Sequence, residues 1–114
     1  MGFASKRGLI MKKYKIITLC GSTKFKEDFM KQNERLTLAG NVVISVGVFA
    51  HADGKQISKS DKILLDSIHK QKIEMADEIF VINKGGYIGE STRNEILYAM
   101  HCGKPISYME ENHE

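Results

Sequence analysis

Tyr14-Lys-Ile-Ile-Thr-Leu19, running straight into Cys20-Gly21-Ser22-Thr23, decides the fold. The first six residues are short, apolar and partly β-branched, which reads as a strand. A glycine and two hydroxyls then suit a tight turn into a helix, where side-chain oxygens take up free amides. Lys24 to Ala39 continue at helical spacing: Phe25, Phe29 and Leu36 share a stripe, charged residues fill much of the opposite face, and Gly40-Asn41 closes it. Val42 to Val48 is a run with several β-branched residues, the pattern of a strand buried on both faces of a parallel sheet.

The same alternation repeats downstream. After a polar loop from about Phe49 to Ser60, Asp61 to Ala76 form a second helix, with Leu64, Ile68 and Met75 on one side and Leu65, Lys72 and Ala76 alongside. Asp77 to Asn83 is the third strand, ended by Lys84-Gly85-Gly86. A third helix starts near Ser91 and runs to His101 or Cys102, closed by Gly103, and Ile106 to Met109 make a last short strand. Connections of this length imply parallel strands joined by right-handed crossovers. The expectation is an α/β three-layer sandwich with a four- to five-stranded, mainly parallel sheet of the flavodoxin or Rossmann kind. Ligands of such sheets bind at the carboxyl ends of the strands, so the loops after Leu19, Val48 and Asn83 matter most.

Composition bounds the rest. A chain of 114 residues, 42% hydrophobic and 27% charged, supports one core and one domain. No stretch approaches the ~18 consecutive apolar residues of a membrane helix. The formal charge of +3 is mostly a tail, because Lys6 and Arg7 lie in residues 1–10 and the remainder carries 15 basic against 14 acidic groups. Residues 1–10 read as a disordered extension and 11–114 as the domain. Gly-Leu-Ile-Met after Lys6-Arg7 is too short for a secretory segment, so a cytoplasmic protein is expected, with no membrane and no nucleic-acid polymer as partner. Cys20 and Cys102 are too isolated for a disulfide framework, and neither His51 nor His69 has metal-ligand spacing; no metal and no cofactor are expected.

Candidate site residues cluster in two loops and one helix face. Cys20, Gly21, Ser22, Thr23 and Lys24 could cradle an anion on backbone amides, or form a plain helix cap with a solvated lysine. Gly85-Gly-Tyr-Ile-Gly-Glu-Ser-Thr-Arg-Asn-Glu95 combines a bendable loop with a polar helix start, offering Tyr87, Gly89, Ser91, Arg93 and Asn94 to a ligand. With Ser91 or Thr92 as N-cap, Glu95 falls in or just past the first turn, where free amides favour its ionised form and a carboxylate can act as nucleophile. The plainer reading is a capping box, Thr92-x-x-Glu95. Tyr98 lies three residues on and could orient Glu95. Asp66 and His69 share a helix face as a proton-transfer couple or as a surface pair.

Cys20-Gly-Ser-Thr, Ile73-x-x-Ala76-Asp77 and Asn94-Glu-Ile-Leu-Tyr-Ala-x-x-x-Gly-Lys-Pro-Ile together resemble the nucleoside 2-deoxyribosyltransferase-like superfamily, which includes the 2'-deoxynucleoside 5'-phosphate N-hydrolases. The match covers roughly Lys15 to Met109. The resemblance implies an N-glycosidase or deoxyribosyl transferase acting on a small nucleoside or nucleotide. Glu95 would attack the anomeric carbon, His69, Asp66 or Tyr98 would manage the proton, and a homodimer partner would help complete the site. Leu97 stands where the family usually has glycine. His69 falls where it usually carries an aspartate, and Glu90 and Arg93 enlarge the approach loop. Two other readings use the same fold: a nucleotide-binding or signalling module without turnover, and a protein-interaction domain.

Overall fold

The computed structural model describes residues 13–111, so the extension expected at residues 1–10 lies outside the described residues. Four strands, β1 (Ile16–Gly21), β2 (Val42–Ile44), β3 (Glu78–Ile82) and β4 (Ile106–Tyr108), alternate with three helices, α1 (Lys26–Leu38), α2 (Lys59–Met75) and α3 (Glu90–His101). The strands form one all-parallel sheet in the order β2-β1-β3-β4. The expected α/β class and parallel sheet are therefore present, with four strands.

Strand alternation divides the core between two faces. Ile17, Leu19, Phe80 and Ile82 pack against Phe29 and Leu36 of α1. Cys20, Ile79 and Val81 face the other way, against Ile73 of α2 and Ala99 of α3. The chain thus leaves β1 over one face to reach β2, then crosses the opposite face to reach β3. The strand order reverses between β1 and β3, and their carboxyl ends open a crevice there.

Polar bonds hold the elements around that crevice. Ile16 N–H donates to Asp77 Oδ2 at 2.8 Å, and Thr18 Oγ1 donates to the carbonyl of Lys72 at 2.8 Å, tying β1 to α2. Lys72 Nζ donates in turn to the carbonyl of Ser45 at 2.8 Å, fixing the loop after β2. Buried Asn83 exchanges two bonds with the backbone of Glu110, whose carboxylate accepts from Gly85 N–H, so the loop after β3 is anchored beyond β4.

Several expected boundaries move, each for a physical reason. β2, an edge strand, pairs with Ile16 to Thr18 of β1 and stops at Ile44 rather than Val48, the next carbonyl, of Ser45, being taken by Lys72 Nζ of α2. Val42 is exposed there rather than buried on both faces. Thr23–Phe25 form a 3-10 turn before α1, with Ser22 as its cap. The apolar stripe expected on α2 is not its buried side: Leu64, Ile68 and Met75 are 55%, 42% and 56% exposed, while His69 and Ile73 face the sheet. No helix among the described residues is long and apolar enough to cross a membrane.

Gly21 ends β1 at φ +152°, and a Cβ there would lie 2.7 Å from the carbonyl oxygen of Ile82. Backbone strain and a clash with backbone combine, so Gly21→Ala should lower stability by about 2–4 kcal/mol. Gly86, at φ +83° with nothing near its Cβ position, should lose only about 1 kcal/mol as alanine. Urea denaturation of both variants checks this; equal losses would contradict it.

Candidate functional site

Three side chains from three elements meet behind the crevice. Cys20 is the last residue of β1 to face α2 and α3. His69 lies one turn before the buried Ile73 on α2. Glu95 lies between the buried Thr92 and Ala99 on the inward stripe of α3. Cys20 Sγ is 3.3 Å from His69 Nε2, and His69 Nε2 is 3.6 Å from Glu95 Oε1. Glu95 Oε1 is enclosed yet has no hydrogen-bond partner among the described residues.

In front of them opens a cavity of about 360 Å³. Gly21, Ser22 and Thr23 line it from the loop after β1, and Val46, Gly47 and Val48 from the loop after β2. Leu65, Asp66 and His69 supply the α2 wall, and Tyr87, Gly89, Ser91 and Glu95 close it. Lys62 stands at the rim, its ammonium 3.1 Å from both Asp66 carboxylate oxygens and 3.4 Å from Ser91 Oγ.

Burial sets the protonation states. It pushes the Glu95 carboxyl from its ordinary 4.5 up to about 7; Asp66 adds to this, while Lys62 and the Cys20 thiol oppose it. Burial, helped by Lys72 and opposed by Asp66, pulls His69 from 6.5 down to about 4. The Cys20 thiol is raised well above its usual range by burial first and by Glu95 second. Near neutral pH the site therefore holds a neutral imidazole, a protonated thiol and a carboxyl close to its midpoint, which can serve as acid or base.

α3 begins at Glu90 with Gly89 as N-cap, not at Ser91 or Thr92. Thr92 is buried in the third helical position, so there is no Thr92–Glu95 capping box. Glu95 sits a full turn inside the helix, beyond the free amides expected to favour its anion, and desolvation acts in the opposite direction.

The other candidates divide clearly. Ser22 accepts from Lys24 N–H at 3.3 Å, and Thr23 Oγ1 accepts from His51 N–H at 3.3 Å, though both also face the cavity. Lys24 places its ammonium 3.6 Å from the Tyr87 ring centre, outside the cavity lining. Asp66 pairs with Lys62 rather than with His69. Tyr98 donates to Glu74, joining α3 to α2, and with Asn94 lines a second depression that shares Asp66, Ser91 and Glu95 with the first; Arg93 lines neither hollow.

Lys62 and Ile57 went unread in the sequence. Lys62 carried a usable signal, lying one helical turn before Asp66 and seven residues before His69. The loop position of Val46–Val48 had none, because the run reads as strand. Cys20, His69 and Glu95 offer ligand atoms that all lie within 4.8 Å of one another, a donor set able to hold a borderline-soft cation. Their separation along the chain hides that grouping.

Fold and site thus define an α/β protein whose cavity, at the reversal of strand order, is lined by an imidazole and an orphaned carboxyl, with a buried thiol behind them. No family model and no curated protein matches the sequence.

The two opposed shifts make a signed prediction. Glu95 binds its proton more tightly folded than unfolded, so it adds stability as pH falls from about 7 towards 4.5. His69 binds its proton less tightly folded, and stability is lost as pH falls from 6.5 to about 4. Relative to wild type, Glu95→Gln should therefore lose stability on acidification from about 7 to 4.5. His69→Gln should gain on acidification from 6.5 to about 4. Urea unfolding of metal-free protein at a series of pH values reads both, and three parallel curves would rule the account out.

Proposed function

We propose that the protein cleaves or transfers at the N-glycosidic bond of a small nucleoside or nucleotide, with Glu95 as the nucleophile. The observation that carries this reading is Glu95, which lines a cavity at the sheet's switch point and whose enclosed Oε1 has no hydrogen-bond partner among the described residues. A buried polar atom left unpaired is costly, and functional sites are where such costs are retained. The motifs that resemble the deoxyribosyltransferase-like superfamily support it from the sequence: Gly21-Ser-Thr of the first and Glu95 of the last are distant in the chain and border one hollow.

In this reaction the ionised carboxylate attacks the anomeric carbon as the bond to the base breaks, through an oxocarbenium-like transition state. The departing base takes a proton from water, and Asp66 and His69, which line the cavity, can relay it. Water or a second base then releases the sugar from Glu95. The cavity volume suits one nucleoside-sized molecule. The amides around Ser22 and Thr23 and the Lys62 ammonium are placed for sugar hydroxyls or a 5'-phosphate. A second reading, a nucleotide binder without turnover, draws support from the Lys62–Asp66 pair, which occupies the carboxylate best placed to assist the leaving base.

Chromatography after incubation with deoxynucleoside monophosphates, nucleosides and NAD should show free base from at least one. Glu95→Gln should slow that release by about a thousandfold or more. Undiminished release in the variant would remove Glu95 as nucleophile. A nucleotide that raises the melting temperature yet stays intact would select the binder.

A further inference from the structure

We propose that Cys20 Sγ, His69 Nε2 and Glu95 Oε1 form a three-ligand site for a borderline-soft divalent cation, with Zn2+ the best fit and the fourth position open to the cavity. Tetrahedral zinc with sulfur at about 2.3 Å and nitrogen or oxygen at about 2.0–2.2 Å places neighbouring ligand atoms about 3.3–3.6 Å apart. The observed separations are 3.3 Å from Sγ to Nε2 and 3.6 Å from Nε2 to Oε1, both in that range, and all three ligand atoms lie within 4.8 Å of one another. The donor set is chemically selective. One thiolate and one imidazole disfavour magnesium and calcium, which take oxygen ligands, and favour zinc or cobalt.

Two features of the surroundings support the assignment. Glu95 Oε1 has no hydrogen-bond partner among the described residues, and a metal bond would supply one. The three ligands project from a strand end and two helices packed on one sheet face, so the site is rigid before the ion arrives. On binding, the thiol proton, and the carboxyl proton where present, pass to solvent as the metal–ligand bonds form. An ion held there engages the carboxylate that would attack a glycosidic carbon, so the loaded protein is the inactive form in the reaction proposed above. The binding itself does not depend on that reaction.

The test uses the full chain, stripped with EDTA under reducing conditions and titrated with Co2+, then Zn2+, without substrate. One Co2+ should bind per chain, with a near-ultraviolet sulfur-to-cobalt charge-transfer band and strong tetrahedral visible bands, and Zn2+ should displace it. Cys20→Ser should abolish the sulfur band, and His69→Gln and Glu95→Gln should each weaken Zn2+ binding at least tenfold. Cys102→Ser and His51→Ala should leave both signals unchanged. Cys20 is buried, so Glu95→Gln, nearly isosteric, serves as the variant that spares the core. Absence of the sulfur band in wild type, its persistence in Cys20→Ser, or its loss in Cys102→Ser would overturn the site. Cobalt binding without base release from any nucleotide would leave the metal site standing and remove the glycosidase reading.

Discussion

Gly21 and Ile82 face each other at the carboxyl ends of β1 and β3, so close that residue 21 has no room for a Cβ. That approach ends two central strands at the same level, at the one place where the strand order reverses. The chain after β1 then turns towards α1, the chain after β3 towards α3, and the gap between them becomes the cavity. Cys20, one residue earlier, points by alternation to the opposite face from α1, which is why it meets His69 and Glu95.

The site behind the gap combines confinement with incomplete satisfaction. Thr18 to the Lys72 carbonyl and Lys72 to the Ser45 carbonyl form a chain of bonds from the central strand through α2 to the loop after β2. It fixes the wall without contributing a reacting group. At the rim, Lys62 joins Asp66 and Ser91, so α2 and the start of α3 are held by exposed charges that water screens. Between wall and rim, three titratable groups are drawn towards uncharged forms, and Glu95 Oε1 is left without a hydrogen-bond partner among the described residues. Nucleophile and metal ligand are two uses of that same oxygen.

The legible parts of the sequence were those governed by one periodicity and one partner. The stripe Phe25, Phe29 and Leu36 on α1 faces the sheet because α1 has a single apolar surface to cover. The corresponding reading of α2 fails because its inward face carries His69 beside Ile73 and borders the cavity, leaving Leu64 exposed and Ile68 on the open cavity wall rather than in the core. Hydrophobic spacing identifies the apolar side of a helix, not which side a cavity requires. The position of α3 turned on a single residue: Gly89 has no side chain to advertise a cap, whereas Ser91 and Thr92 do.

The sequence by itself determined the alternation of strands and helices, the parallel sheet and the choice of Glu95 and His69 as residues worth watching, because these follow from local periodicity and from residue chemistry. Only the tertiary structure decided that Cys20 joins them, that Tyr98 bonds Glu74 of α2, that Asp66 pairs with Lys62, and that Glu95 holds its proton up to about 7. Those outcomes depend on contacts that span 49 residues for Cys20 and His69 and 24 for Tyr98 and Glu74, and on which of two helix neighbours Asp66 meets. They depend equally on water excluded by packing, which no local pattern encodes.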